Sequence, residues 1–341
     1  ISGAKGVLIN ITSTSDLSEP GIARFVRDAM ELLDLAQPDP CAGPPDPDLL
    51  CGPESHADLD LFDPSVERID ADQALELALQ GESAALGYDR RLTNSEGSTL
   101  VRTAGARVLV TSGGFRGSAR GTLVSLTVNP VADDANGKKR NGYFWSARRH
   151  LRELADARWI GEEAARRTLD KLGARKLDTQ QAPVIFDPEA ARSILGLVAS
   201  CVLGGAIWRR ASFLVGREGE RVASEAVTVV DDPLIERGPG SRAFDGEGLL
   251  SRRSTVVQSG VLTGFLLDTY SGRKLGCPST GSAVRASGGG VNAGTSNFIL
   301  KPGAIGPEQL LQSSDRALYV TDMMGYGFNP VTGDFSRGAS G

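Results

Sequence analysis

Cys201 is the first residue whose chemistry stands out, because it lies alone in an apolar run. It is the only side chain between Ile194 and Ile207 that can ionise near neutral pH. A cysteine nucleophile needs an adjacent base and an electropositive setting, and this run contains no base and no carboxylate. The apolar residues recur near helical spacing, which predicts a buried helix. We therefore interpret Cys201 as an inert core thiol.

Polar residues in short motifs follow this run and are candidates for substrate binding. They are Arg209, Arg210, Ser212, Asp231, Asp232, Asp245, Thr280 and Asn297. Asp245 begins an Asp-Gly-Glu-Gly motif that could hold a hard cation through oxygen ligands, and a glycine turn between strands explains it equally well. The segment 231–233 is typical of a turn that caps a strand. Asn297 lies beyond the glycine-rich segment 279–290, where we expect the backbone of an extended peptide to be held by strand addition.

The histidines and cysteines form no recognisable metal-binding motif. The chain has two histidines, His56 and His150, and four cysteines without a C-x-x-C pair. Such scattered cysteines indicate reduced thiols in a cytoplasmic protein, with a Cys41–Cys51 disulfide as the less favoured alternative. The sequence therefore predicts no metal and no cofactor in this chain.

Composition and charge argue against several classes of function. The chain has 341 residues, of which 40% are hydrophobic, and this is enough for two globular domains. Its net charge of −5 argues against nucleic acid as a main partner, since phosphate binding needs a basic surface. No run of eighteen apolar residues is present, so the sequence predicts no membrane span. The chain begins within a strand pattern, and we expect it to belong to a longer sequence.

The first half must position these residues with helices and an antiparallel sheet. The predicted elements are a strand over 6–12, an amphipathic helix with an apolar stripe from Ile22 to Leu33, a surface loop over 37–67, a helix over 70–86, a meander of short strands over 90–148 and a helix over 159–172. The loop is predicted because its many prolines remove backbone donors. The amphipathic helix is predicted to be scaffold.

The second half is predicted to be mostly antiparallel β structure around one helix. A strand at Pro183–Phe186 leads into a central buried helix over 189–207, and short strands follow. Strands and helices do not alternate as a parallel sheet would require, which indicates an α+β fold. We place two domains at residues 1–180 and 181–341.

Several motifs of the second half, taken in order, closely resemble one known family. They include Phe244-Asp-Gly-Glu-Gly248, Tyr270-Ser-Gly-Arg-Lys-Leu-Gly276, Ser279-Thr-Gly-Ser-Ala283 and Gly325-Tyr-Gly-Phe-Asn-Pro-Val-Thr-Gly-Asp-Phe-Ser-Arg-Gly338. The family is TldD/PmbA, and within it the chain resembles the PmbA (TldE) branch. The resemblance covers essentially the whole chain. It implies the two-domain fold of that family and a cytosolic metallopeptidase built from two related subunits.

The resemblance also implies where a zinc site would lie. The TldD-type subunit carries His-Glu-x-x-x-His on the central helix, and those positions fall here at Gly196, Leu197 and Cys201. The family cysteine that completes the site falls at about Met323. Glycine has no ligand atom, leucine cannot move a proton, and a methionine thioether is a poor zinc ligand. The chain therefore departs from the catalytic subunit and agrees with its PmbA/TldE partner.

These inferences predict the zinc-free, accessory subunit of a cytosolic metallopeptidase. By resemblance, it pairs with a zinc-bearing TldD-type subunit as a heterodimer and acts on unfolded peptides or on leader peptides of modified peptide natural products. One alternative is a regulatory or binding homodimer, in line with the family's description as a modulator of DNA gyrase. The other is an independent hydrolase that uses Cys201 or a carboxylate-held metal.

Overall fold

The computed structural model describes residues 2–3, 6–7, 11–33, 35–52, 56–286 and 290–341. Its first half contains β1 (Ser2–Gly3), β2 (Gly6–Val7), α1 (Glu19–Leu33), α2 (Pro64–Glu67), α3 (Ala71–Tyr88), β3 (Leu92–Val110), β4 (Arg116–Asp133), β5 (Lys139–Asn141), β6 (Phe144–Arg148) and α4 (Ala157–Leu169). The predicted strand over 6–12 and the glycine-rich segment 279–290 each extend partly outside the described residues.

In its described residues, the second half contains short strands and four helices. It contains β7 (Val184–Phe186), α5 (Pro188–Cys201), α6 (Gly204–Trp208), β8 (Val229–Asp231), β9 (Ser254–Gln258), β10 (Val261–Leu262), α7 (Thr269–Leu275), β11 (Ala283–Arg285), β12 (Val291–Ala293), β13 (Phe298–Leu300), α8 (Pro307–Gln312), β14 (Leu318–Val320), β15 (Asp322–Met324) and β16 (Gly338–Ser340). The mixture of helices and antiparallel sheets confirms the predicted α+β class.

A long two-stranded ribbon forms the frame of the first half. β3 and β4 pair antiparallel along nearly their whole length, and β5 and β6 pair with the other edge of β4. The predicted meander of short strands is therefore mainly one long hairpin. The meander prediction treated glycines such as Gly105 as turns between strands. In the structure, Gly105 is extended and pairs with Gly121 on β4, so the strand continues. The ribbon turns at Thr111, whose N–H donates to the carbonyl of Phe115 at 3.0 Å.

Helices α3 and α4 cover the base of this ribbon and form the first core. Leu126, Val128 and Ile160 are fully buried there. The two helices approach each other so closely that a Cβ atom added to Gly161 would lie 2.1 Å from the carbonyl oxygen of Gly81. A side chain larger than hydrogen at this crossing would push the helices apart.

The second core lies under an antiparallel sheet in the order β10-β9-β8-β13. Cys201, Val202, Leu262 and Leu266 are fully buried in it. β7 and β14 form a separate parallel pair, which leads the chain into α5.

The predicted helix over 189–207 is two helices, α5 and α6. The break lies at Leu203, which has an extended conformation, and the next N–H, that of Gly204, donates to the carbonyl of Leu266 at 2.8 Å. Gly204 also packs against α7, since an added Cβ would lie 2.1 Å from Ser271 Oγ. This tertiary contact ends the helix where apolar periodicity alone would continue it. Burial of α5 is also narrower than predicted and is complete only at Ala190 and Cys201.

The described residues of the predicted loop over 37–67 bind the second half of the chain. The loop contains α2, which Asp63 caps by accepting from the N–H of Ser65 at 2.8 Å. Asp39 accepts from the hydroxyl of Tyr270 on α7 at 2.8 Å, and the N–H of Cys51 donates to the carbonyl of Gly248 at 3.1 Å. The loop thus acts as a strap across α7 and the turn at Gly248.

The apolar stripe of α1 is largely exposed, although the sequence predicted a scaffold helix. Ile22, Val26 and Met30 are 44%, 54% and 48% exposed, so the stripe does not belong to either core. Among the described helices, none combines the length and the apolar character needed to cross a membrane.

Candidate functional site

The three positions matched to the zinc-binding motif lie along α5. Gly196 is exposed, and a Cβ atom added there would meet no atom within 4 Å, so open space lies beside the helix at this point. Leu197 is half-buried, and Cys201 is fully buried at the end of the helix. Burial raises the pKa of the Cys201 thiol, which keeps it protonated at neutral pH. Gly196 and Leu197 supply no zinc ligand, a single protonated thiol cannot hold zinc alone, and none of the three side chains is a general base.

Met323 lies on β15, which the structure brings beside α5. The guanidinium of Arg337 donates to Ser193 Oγ at 3.4 Å and to the carbonyl of Met323 at 3.3 Å, so one side chain links the helix to the strand. The four aligned positions therefore belong to neighbouring elements. Their donor set does not fit zinc, because it offers a buried thiol and a thioether. Within the described ranges, no group of three or more His, Cys, Asp or Glu is placed to hold a metal ion.

Asp245 organises a turn through both of its carboxylate oxygens. Oδ1 accepts from the N–H groups of Glu247 at 2.9 Å and Leu249 at 3.0 Å, and Oδ2 accepts from the N–H of Ala283 at 3.1 Å. The carboxylate is completely buried, and burial raises its pKa. Both carboxylate oxygens of Asp245 thus accept hydrogen bonds from backbone N–H groups, which is the arrangement expected for a glycine turn that is hydrogen-bonded to β11.

Asp231 and Asn297 hold the end of β8 and the loop 238–241 together. Asp231 accepts from both the N–H and the hydroxyl of Ser296 at 2.8 Å. The amide of Asn297 donates to Ser241 Oγ at 2.8 Å and accepts from the N–H of Gly240 at 2.9 Å. These two candidates therefore fix the shape of a loop.

The same region includes Asp232, whose carbonyl accepts from the Asn297 amide at 2.7 Å. Its carboxylate accepts from the N–H of Leu234 at 3.0 Å, which caps the turn that the sequence predicted for 231–233. The structure thus brings together three of the predicted binding residues, Asp231, Asp232 and Asn297.

The other predicted residues lie apart from this group. Ser212 Oγ donates to the carbonyl of Cys201 at 2.7 Å, and Thr280 Oγ1 accepts from the N–H of Leu267 at 2.7 Å, so both brace the second core. Arg209 and Arg210 are exposed at the end of α6. The guanidinium of Arg209 stacks over the ring of Trp208 at 5.0 Å, and Arg210 has a positive φ of 55°.

A thiol–imidazole contact was missed by the sequence analysis. Cys51 Sγ lies 3.4 Å from His56 Nε2, and the imidazole stacks on Phe244 with ring centroids 4.9 Å apart. Burial raises the pKa of the Cys51 thiol, and the charge of Asp245 adds to this effect. The thiol donates to the carbonyl of Gly248 at 3.2 Å, so it is held protonated as part of the strap. The spacing of five residues between Cys51 and His56 did not predict this contact, because the path of the loop cannot be read from the sequence.

A groove lined by arginines was also missed. We call it the arginine groove: Arg107, Arg149 and Arg242 line it, together with Gly105 and Gly121 on the ribbon and residues 239–242 of the loop that Asn297 holds. Its volume is about 390 Å³. Arg107, Arg149 and Arg242 come from three distant parts of the chain, so no local sequence pattern brings them together.

Comparison with known proteins shows which family builds this fold. Residues 64–172 match the PmbA/TldA metallopeptidase central domain, and residues 179–341 match the PmbA/TldA metallopeptidase C-terminal domain. Metalloprotease PmbA of Escherichia coli O157:H7 is 37% identical over 329 residues, which are 96% of this chain and 70% of that protein. The chain belongs to the PmbA/TldD family.

Within the family, the chain is more similar to PmbA than to TldD. A metalloprotease TldD homolog from Haemophilus influenzae is 28% identical over 231 residues, which are 65% of this chain and 48% of that protein. The solved structure of TldE from Thermococcus kodakarensis covers 91% of this chain and 69% of that chain, with a TM-score of 0.77 and 23% identity. The family and the fold predicted by resemblance are confirmed.

Proposed function

We propose that this chain is the zinc-free, accessory subunit of a cytoplasmic metallopeptidase, paired with a zinc-bearing TldD-type subunit. One observation carries the proposal: the motif positions Gly196, Leu197 and Cys201 retain their helix but have no ligand or base. The similarity to proteins named metalloprotease PmbA supports a peptidase role. The partner's zinc would polarise the scissile carbonyl and activate water.

The contribution of this chain would be to hold an extended peptide near the partner. β13 lies at an edge of its four-stranded sheet, so its outer backbone groups can pair with a peptide strand. Asn297 precedes this strand and anchors it to the loop 238–241. Backbone pairing reads few side chains, which suits unfolded peptides and leader peptides of modified peptide natural products as substrates.

The burial and the raised pKa of Cys201 disfavour an independent hydrolase that uses this thiol as its nucleophile. The Cys201 thiol is fully buried and has a raised pKa, whereas a nucleophilic cysteine needs access and a lowered pKa. A homodimer that contacts DNA directly is disfavoured by the net charge of −5.

The test is to purify this chain and a TldD-type subunit from the same organism and to measure zinc and peptide cleavage for each alone and for the mixture. We expect zinc and cleavage to require the partner. Replacing the partner's metal-helix glutamate with glutamine should abolish cleavage by the mixture without preventing assembly. Stoichiometric zinc together with cleavage by this chain alone would overturn the proposal.

A further inference from the structure

The floor of the arginine groove is shaped for an extended ligand. Gly105 and Gly121 lie directly opposite each other on β3 and β4, so neither member of this cross-strand pair carries a side chain, and the guanidinium of Arg149 lies over Gly121. A Cβ atom added to Gly105 would meet no atom within 4 Å. The wall opposite is the loop 239–242, and the groove, which is open to solvent, has a volume of about 390 Å³.

Arg107, Arg149 and Arg242 are hydrogen-bonded to neutral groups, although the buried Asp245 attracts Arg107 and Arg242 from a longer distance. Arg149 donates to the carbonyl oxygens of Thr122, Gly238 and Pro239, which are neutral acceptors. Arg107 has one long hydrogen bond of 3.5 Å, to the carbonyl of Phe244. Among the described residues, no carboxylate forms an ion pair with any of the three arginines.

Arg242 carries an unused donor inside the groove wall. Its Nη1 donates to the carbonyl of Thr295 at 3.2 Å, whereas its Nε is buried and has no hydrogen-bond partner in the described part of the chain. Among the residues that the structure describes, the Arg242 side chain therefore has only this one hydrogen bond, to a neutral carbonyl oxygen, and no anion bonded to it. A fourth arginine that lines the groove, Arg120, differs from these three, since it lies 3.6 Å from the carboxylate of Glu67.

The arginines also repel one another. Burial lowers the pKa of Arg149, and the charge of Arg107 lowers it further. Burial likewise lowers the pKa of Arg242, where repulsion by Arg107 opposes the attraction of Asp231 and Asp245. An anion in the groove would relieve this repulsion.

We propose that the arginine groove binds the carboxylate groups of an extended peptide, supplied by acidic side chains or by a free C-terminus. The planar guanidinium fork matches a carboxylate, and the open space above Gly105 admits a peptide backbone beside Arg149. The net charge of −5 disfavours a long polyanion such as nucleic acid. The inference rests on the proposed function for the peptide nature of the ligand, and it adds a preference for acidic segments.

The experiment is calorimetric titration of this chain, without any partner, with three hexapeptides. The first alternates glutamate with alanine and has blocked ends, the second replaces glutamate with glutamine, and the third is the glutamine peptide with a free C-terminal carboxylate. We expect one or both carboxylate-bearing peptides to bind at least about tenfold more tightly than the blocked glutamine peptide. The peptide that binds identifies the source of the carboxylate. Equal affinity for all three, or no binding, overturns the proposal.

Arg107→Gln tests the charge, because Arg107 is exposed and, within the described ranges, contacts only Phe244, by one long hydrogen bond and a cation–π contact of 5.3 Å, so the fold should survive. We expect about tenfold weaker binding of the carboxylate-bearing peptide. Gly105→Leu tests the space, since the new side chain would cover the floor without changing any charge. Arg116→Gln is the matched control on the same ribbon, outside the groove. Wild-type affinity in both groove variants, or an equal loss in the control, would refute the assignment.

The partner-dependent assay separates failure of this inference from failure of the proposed function. If the mixture with the TldD-type subunit cleaves peptides but shows the same preference with Arg107→Gln as with wild type, the accessory function stands and the carboxylate groove is wrong. If cleavage never depends on the partner while Arg107→Gln still weakens peptide binding, the groove stands and the proposed function is wrong.

Discussion

Cys201 shows at the residue scale how one side chain distinguishes the proposed functions. A buried thiol with a raised pKa reacts slowly with alkylating agents because the thiolate is the reactive form. We predict that iodoacetamide labels the exposed Cys277 of the native chain well before Cys201, which reacts only after unfolding in urea. Peptide mass spectrometry at successive times measures both rates. Native labelling of Cys201 at a rate comparable to that of Cys277 would restore the nucleophile hypothesis.

The candidate residues illustrate what sequence motifs can and cannot predict about a site. Asp231, Asp245 and Asn297 were predicted from the sequence as binding residues, and in the structure their side chains are hydrogen-bonded to neighbouring turns. Polar residues that stabilise a turn and polar residues that bind a ligand have the same sequence pattern, so the sequence alone does not distinguish them. Arg107 and Arg242 gave no signal because the groove forms only when the ribbon meets a loop 135 residues later.

At the scale of elements, the start of α5 depends on Asp187. Although burial alone would raise the pKa of this carboxyl, hydrogen bonds from the N–H of Glu189, the hydroxyl of Tyr319 and the guanidinium of Arg167 lower it overall. Burial, together with the hydrogen bond to Asp187, raises the pKa of Tyr319 to about 12. Because the folded pKa is below the unfolded value, ionised Asp187 stabilises the fold above the unfolded pKa, and this stabilisation is lost as pH falls through the folded pKa.

We predict that Asp187→Asn lowers the free energy of unfolding by about 1–3 kcal/mol at neutral pH, since a buried charged acceptor is lost. The difference from wild type should shrink as pH falls below about 4, the ordinary pKa of aspartate. Urea unfolding at a series of pH values measures both effects. Asp156→Asn is the matched control, because Asp156 caps α4 from an exposed position and asparagine is also a good cap. An equal, pH-independent loss in both variants would contradict the prediction.

The crossing of α3 and α4 depends on glycine. We predict that Gly161→Ala destabilises the chain by about 2–3 kcal/mol, because overpacking at a close helix contact forces the backbones apart. Gly87→Ala, in an exposed part of α3 with open space around it, should instead stabilise the chain by about 0.5–1 kcal/mol. Thermal unfolding followed by circular dichroism compares the two variants. A stabilising Gly161→Ala would show that the helices do not meet at this point.

The helices were easier to predict than the places where they break. α3 begins where its capping box, formed by Asp70 and Gln73, can be read in the sequence, and the predicted helix over 70–86 is close to the observed one. The break between α5 and α6 could not be read, because it depends on the carbonyl of Leu266 and on the side chain of Ser271. Local propensity sets the first kind of boundary, whereas tertiary packing sets the second.

At the scale of the whole molecule, the two halves are joined by contacts distributed along their boundary. Arg237 forms ion pairs with Asp60 and Glu153 of the first half. Arg167 of α4 reaches Asp187 at the start of α5, as described above. The two regions matched to the family's central and C-terminal domains lie on either side of residues 173–178. The connection itself is exposed and has no regular secondary structure over most of residues 174–183.

This arrangement predicts that the chain can be cut at the connection without coming apart. Limited trypsin treatment should cleave early after Arg175 or Lys176, and the two fragments should elute together in size-exclusion chromatography, because the contacts between halves do not depend on the connecting backbone. Replacing both basic residues with glutamine should delay the cut. Arg237→Ala should speed separation of the fragments, since it removes the ion pairs with Asp60 and Glu153 that cross the boundary. Immediate separation of the fragments of the otherwise unaltered chain would show that the connection, and not the interface, holds the halves together.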